Sequence, residues 1–381
     1  MKKTRLFTPG PVMVPEQVML TMARPMEHHR TSSYRAMLAD VTEHLEYLFQ
    51  TEKANPLVIT GSGTAAGEAS IVSAVHPGKN KVLNFSGGKF GQRWGKVCKA
   101  FGLDCVNHEL EWGTGADGDL AARLMDQDDK IDTIICVHSE TSTATMSDIE
   151  SIGKVARARD ALLIVDCITS CGCVPFLFDE WNIGIAFTGS QKALMLPPGL
   201  GLACVSPQGW RRIDQADCTA FYNDLKAYRK SVRNWDNPYT PANTLVLGLQ
   251  QVLHGIKQRG LESIWQETRL LADATRAAAT AMKMPVFSKN PVDSVTAMMV
   301  PAGVDEAQLR KTLREKHGMQ IAGGQDHLKG KIVRIGHMGY VDAADTLAVI
   351  GALELALLEQ GHGIEIGAGL RAAQEVFART L

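Results

Sequence analysis

The 381-residue chain has no apolar run long enough to cross a bilayer. Its longest candidate, "LAVIGALELALLEQ", carries Glu354 and Glu359 and reads as an amphipathic helix. Neither sign of charge is in excess: 40 basic side chains stand against 41 acidic ones, with no block of like charge. That balance points away from a nucleic-acid or membrane partner. The opening "MKKTRLFTPGPVMVP" has the lysines of a secretion signal but not its apolar core, and Pro9, Pro11 and Pro15 interrupt it. A cytoplasmic location is therefore expected. Repeats, low-complexity stretches and long linkers are also missing. The eight cysteines are scattered, several inside apolar runs such as "TIICVHS" and "GLACVS". That is the usage of reduced, buried thiols. "CITSCGC" spaces Cys167, Cys171 and Cys173 as C-x3-C-x-C without a second cluster, so no metal site is expected.

What the chain does have is alternation. "PLVIT", "KVLNF", "DTIICVHS", "ALLIVD", "IAFTGS" and "LACVS" are apolar runs, and helical patterns lie between most of them. This predicts an α/β fold with a mainly parallel sheet covered on both faces. From about residue 260 a long helix leads into "SVTAMMVP", a further helix, "KIVRIG" and a last long helix, the pattern of a smaller α+β unit. We expect a large domain over residues 16–258, a small C-terminal domain over 259–381, and a distinct N-terminal segment over 1–15.

In an open parallel sheet, ligands gather at the carboxyl ends of the strands. Here those ends carry "GSGTAAG", "SGGKFGQR", "ETSTA", Asp166 and "GSQK". Gly61 and Gly63 flank Ser62 where a helix begins, which suits either a phosphate or a plain tight turn. Asp166 fits either a helix cap or a functional carboxylate. Lys192 stands among small and apolar residues with no nearby partner for its charge. Such an amine has a lowered pKa and is poised to form a Schiff base. Amine, carboxylate, anion cradle and the aromatic Phe90 together match the needs of pyridoxal 5′-phosphate.

The chain resembles the class V aminotransferases of pyridoxal-phosphate fold type I, within them the alanine–glyoxylate/serine–pyruvate aminotransferase family. The resemblance runs from "TPGPVMVP" through "TGSGTAAGEA", "FGQR", "SETSTA", "VDCITSCG", "GSQKALMLPPG" and "NPYTPANT" to "KIVRIGHMG". "GSQKAL-x-x-PPG" with "VD" upstream is the most specific part.

The resemblance implies a fold with a large pyridoxal-phosphate domain built on a seven-stranded-type sheet and a small α+β domain. It implies an amino transfer from alanine or serine to glyoxylate or pyruvate through a Lys192 Schiff base. Asp166 would hold the pyridine nitrogen protonated. Ser62, Gly63, Thr64 and Gln191 would hold the phosphate, and Thr141 would bond near the ring. Ile168 and Phe90 would cover its two faces. Thr240 would reach the phosphate of the neighbouring subunit, making a homodimer with shared sites. Arg334 would grip the substrate carboxylate, with Gly10 beside it.

At the position where some relatives carry a tyrosine that also touches the phosphate, this chain has Asn237, with Tyr239 next to Thr240. Either could serve, or neither. "EHHR" (27–30) fits a solvated loop or the pocket wall, and Arg30 there is the nearest second cation in sequence. The same site also serves aminoethylphosphonate, ureidoglycine and pyridoxamine transaminases and class V lyases or desulfurases. A nicotinamide enzyme fits less well, because Gly67 falls one residue late for G-x-G-x-x-G.

Overall fold

The computed structural model describes residues 3–379. Strand β1 (Arg5–Leu6) precedes helices α1 (Glu16–Met22) and α2 (Ser32–Phe49). Then follow β2 (Asn55–Thr60), α3 (Gly63–Ala74), β3 (Lys81–Ser86), α4 (Lys89–Ala100), β4 (Asp104–Glu109), α5 (Gly118–Gln127) and β5 (Ile131–Val137). The short pair β6 (Ser139–Glu140) and β7 (Thr145–Met146) leads to α6 (Ile149–Ala158), β8 (Leu162–Asp166), β9 (Ile185–Gly189) and β10 (Leu200–Val205). Helices α7 (Pro207–Gln215), α8 (Leu225–Val232), α9 (Asn243–Arg259) and α10 (Leu261–Ala281) come next. The chain closes with β11 (Val295–Met299), α11 (Glu306–Thr312), β12 (Met319–Gln320), β13 (Ala322–Gly323), β14 (Ile332–Gly336), α12 (Ala343–Glu359) and α13 (Ala368–Ala378).

Seven strands form one sheet in the order β2-β10-β9-β8-β5-β3-β4. Only β10 runs against its neighbours. The fold is α/β with a mainly parallel sheet, as the apolar runs predict. Side chains alternate across each strand. Leu163, Val165, Ala186, Leu202 and Cys204 enter one apolar core with α2 and α9. Leu162, Ile164, Ile185, Phe187 and Ala203 enter a second, with α3, α4 and α7. Burial on both faces explains why β8, β9 and β10 read as unbroken apolar runs. The polar edge strand β4, "DCVNHE", is mostly exposed or half-buried and carries no such run.

Two connections depart from the strand–helix–strand pattern. Between β8 and β9 the chain makes turns instead of a helix, and β9 to β10 is an antiparallel return. Beyond α10, β11, β14 and β13 form a three-stranded antiparallel sheet packed on α10, α12 and α13. Helix α13 is an element the sequence pattern did not announce. The N-terminal segment reaches this part: β1 pairs with β12, and Gly336 N–H bonds Phe7 O at 2.7 Å.

Candidate active site

The sheet delivers its polar groups to one place. β8 ends in Asp166, and β9 runs out at Gly189 into the loop carrying Gln191 and Lys192. That loop is braced from within. Ser190 Oγ donates to Pro197 O at 2.7 Å and accepts from Leu200 N at 3.2 Å. Gln191 O accepts from Val12 N at 3.3 Å, tying the loop to the N-terminal segment.

Lys192 is buried, and its Nζ donates to Pro9 O at 2.5 Å. Burial brings its pKa down to about 8; Asp166 opposes the shift, and the nearby Arg334 and Arg93 add to it. Gly10 lies against the amine with φ +95°. A Cβ there would sit 2.3 Å from Nζ and push the lysine's end aside, and the positive φ itself favours glycine.

Asp166 is buried too. Its Oδ2 accepts from Trp94 Nε1 and its Oδ1 from Ile168 N, each at 2.9 Å. Burial pushes its carboxyl up to about 7, more than the two hydrogen bonds offset. An arriving cationic N–H would draw it back to the ionised form.

The turn after β2 makes an N-terminus that offers free N–H groups. Ser62 caps α3, its Oγ accepting from Ala65 N at 3.3 Å. Thr64 Oγ1 accepts from Arg93 Nη1 at 2.9 Å, and the same guanidinium lies 4.8 Å over the Phe90 ring. A Cβ on Gly189 would meet both Gly63 N and Gln191 Oε1 at 3.1 Å, so these two polar atoms share one corner. Gln191 Oε1 is buried without a partner. Ile168 lies against Gly63, within 2.8 Å of where a Cβ would stand.

Arg334 comes from the middle strand of the small sheet and is buried. Its Nε and Nη2 donate to Gly323 O at 3.0 and 2.7 Å, and its Nη1 to Thr141 O at 2.6 Å. Burial lowers its pKa to about 10, which leaves it cationic at neutral pH. All three of these bonds go to carbonyls. Two of its five N–H groups remain for a ligand.

The family description "Aminotransferase class-V" matches residues 6–345. The chain belongs to the class V aminotransferases. It is 39% identical to the soluble hydrogenase 42 kDa subunit of Anabaena cylindrica, over 99% of each chain. It is 32% identical to the serine–glyoxylate aminotransferase of Methylorubrum extorquens, covering 97% of this chain and 95% of that one. The crystal structure of the ureidoglycine–glyoxylate aminotransferase from Bacillus subtilis superposes with a TM-score of 0.93 at 30% identity, over 99% of each chain. The sheet and its surroundings are those of pyridoxal-phosphate fold type I.

Of the residues singled out in the sequence, this aminotransferase brings Lys192, Gly10, Asp166, Ile168, Gly63 and Gln191 close together, with Thr64 and Phe90 joined through Arg93. Thr141 meets Arg334 through its backbone carbonyl. Thr240 is exposed, two residues before Ala242, whose N–H bonds Thr60 Oγ1 at 3.0 Å at the end of β2. Asn237 accepts from Tyr34 Oη at 2.7 Å, and Tyr239 Oη donates to Phe221 O at 2.9 Å. Both are thus engaged within their own chain. Arg30 pairs with Asp236 at 3.0 Å on an exposed loop.

Three contributors escaped the sequence reading. Trp94 holds Asp166, and its only signal is the helical i, i+4 spacing from Phe90. Arg93 ties Thr64 to Phe90. Glu140 is a buried carboxylate whose Oε2 accepts from Phe90 N and Gly91 N at 3.0 Å each. Its Oε1 accepts from Ser142 N at 3.1 Å and from Ser142 Oγ at 2.5 Å. It fixes the start of α4, and with it Phe90.

Proposed function

We propose that this aminotransferase binds pyridoxal 5′-phosphate between Asp166, Lys192 and the start of α3, and moves an amino group from a small amino acid of the alanine or serine kind to glyoxylate or pyruvate. The N-terminus of α3 offers backbone N–H donors to a phosphate, and Gln191, whose Oε1 has no partner, is free to turn its amide N–H2 toward the same corner. Bound there, the cofactor supplies an aldehyde for primary amines and an electron-withdrawing ring.

The chain supplies the rest. Asp166 holds a proton at the ring nitrogen, and Trp94 keeps the carboxylate aimed. Lys192 Nζ, freed from Pro9 O, takes the proton from the substrate's α-carbon. Its lowered pKa makes the neutral amine accessible near pH 8. Ser62, Gly63, Thr64 and Gln191 would hold the phosphate, Thr141 would bond near the ring, and Ile168 and Phe90 would cover its two faces, with Gly10 keeping the substrate's side clear.

The observation that carries the reading is Arg334. A buried guanidinium bonded to carbonyl groups and to no carboxylate, near enough to act on Lys192's charge, is suited to a substrate carboxylate held by two hydrogen bonds. The serine–glyoxylate relative agrees with a monocarboxylate acceptor.

We further place the working unit as a homodimer in which Thr240 completes the partner's site. Phe221 (83% exposed), Tyr222 and Trp235 surround that segment, an aromatic face that pairing would cover. All eight cysteines are free, which fits the reducing cytoplasm. We keep the division into 1–15, 16–258 and 259–381; the break between α9 and α10 at Gly260 lies close to the second of these bounds.

A panel of donors (alanine, serine, aspartate, ureidoglycine, pyridoxamine) against glyoxylate, pyruvate and 2-oxoglutarate tests the proposal. We expect the highest kcat/KM for alanine or serine with glyoxylate or pyruvate. Preference for 2-oxoglutarate with one common donor would overturn it.

A further inference from the structure

Away from the cleft, helices α2 and α9 pack side by side and bring together three side chains with no role in the chemistry above. Asp40 and His44 are one turn apart on α2, on one face of the helix. His254 projects from α9. Its Nε2 is 2.8 Å from Asp40 Oδ2, and His44 Nδ1 is 3.5 Å from Asp40 Oδ1. The two imidazole rings lie 4.7 Å apart between centroids. One ligand atom from each residue falls within 4.8 Å of the others, the only such grouping of histidine, cysteine and acidic side chains among the described residues.

We propose that Asp40, His44 and His254 form a binding site for one divalent transition-metal ion of the zinc kind. Ligand atoms about 2.1 Å from a tetrahedral ion lie about 3.4 Å from one another. The spacings of 2.8 Å to Asp40 Oδ2 and 3.5 Å to its Oδ1 bracket that value, and all three donors lie within 4.8 Å of one another, so side-chain rotation has to draw them in by no more than about 1.5 Å. Two imidazoles and one carboxylate suit zinc, nickel or copper and not calcium or magnesium, which need more oxygen ligands. The carboxylate is already oriented: Gln250 Nε2 donates to Asp40 Oδ2 at 2.8 Å. Such outer partners are what fix a ligand's direction at metal sites. His44 Nδ1 also bonds Asp40 O at 2.9 Å, and the ion would replace that contact.

The fourth position has a way in. Asp40 and Gln250 line a groove of about 780 Å³ running beside α2 and α9 toward Tyr34 and Asn243. A water molecule, or a ligand from solvent, can reach the ion there. No metal spacing was legible in the sequence because 214 residues separate Asp40 from His254.

The test uses the cofactor-loaded enzyme, without an affinity tag and stripped by a chelator, titrated with zinc alone. Metal content after gel filtration and calorimetry should give one ion per chain. His254→Ala and His44→Ala should each weaken binding by about 100-fold or more, and Gln250→Ala by about tenfold. Transamination and the visible spectrum of the bound cofactor should stay at wild-type values in all three, which also certifies that they fold. Cobalt in place of zinc should give a visible d–d band that His254→Ala removes. Failure to take up zinc at about tenfold molar excess, or uptake that survives both histidine substitutions, overturns the proposal.

Discussion

Asp166 carries a conflict between folding and chemistry. Its carboxyl is raised from an ordinary 3.8 to about 7 by burial. In the cofactor-free protein, the native state therefore keeps a proton that the unfolded chain loses between about pH 4 and 7. Stability falls as pH rises through that window. Asp166→Asn cannot titrate. Whatever the fixed cost of an amide facing Trp94, the stability advantage of wild type over Asp166→Asn should shrink from pH 4.5 to pH 8. Thermal melts of both cofactor-free proteins at the two pH values measure this. A constant gap would mean that the carboxylate is ionised throughout. With the cofactor bound, the same substitution should lower kcat by several orders of magnitude. A charge-assisted hydrogen bond alone contributes about 1.5–3 kcal/mol, and the ring nitrogen loses its proton as well. Arg334→Lys makes a different prediction. It keeps the charge but loses the planar fork, so KM for alanine, serine or glyoxylate should rise at least tenfold while the cofactor's absorbance spectrum stays put. Steady-state kinetics with a spectrum of the resting enzyme decide it.

The first turn of helix α4 is held by one buried side chain. Glu140 receives three backbone N–H groups and a hydroxyl. Glu140→Ala would leave those donors buried and unpaired, at about 2–4 kcal/mol of stability. It would also release Phe90, so cofactor affinity should fall along with the denaturation midpoint, as urea titration and absorbance would record. Retained affinity would show that Phe90 is held by α4's own packing. How such elements could be read in advance depended on range. Strands β5, β8, β9 and β10 were visible because both faces are buried, which leaves continuous apolar runs. Asp166 and Lys192 were visible because they end such runs. Strand β4 was not, because an edge strand with half its surface in solvent keeps polar residues. Glu140 and Trp94 looked ordinary because their contacts cross 50 and 72 residues and leave no local pattern.

At the scale of the whole molecule, the proposed dimer allows a complementation test. A Lys192→Ala chain and a Thr240→Ala chain, each inactive or weakened alone, should form mixed dimers. In these one site carries both lesions and the other carries none. Activity in purified mixed dimers should recover to about half that of wild type per dimer. Recovery no greater than the average of the two parents would place Thr240 outside the partner's site.

The backbone between residues 5 and 10 has a further meaning for anyone altering the gene. One end is pinned to β12, and Phe7 O is bonded to Gly336 N. Two residues later Pro9 O holds the Lys192 amine. This stretch is a ruler of fixed length between two separately built parts. Adding or deleting a single residue there would shift Gly10, which packs against the end of Lys192, by up to about 3.5 Å, driving backbone into the lysine's space or leaving it unsupported. Loop grafts and insertions between Phe7 and Gly10 should therefore silence the enzyme, whereas equal insertions near the exposed Ile366 should pass unnoticed.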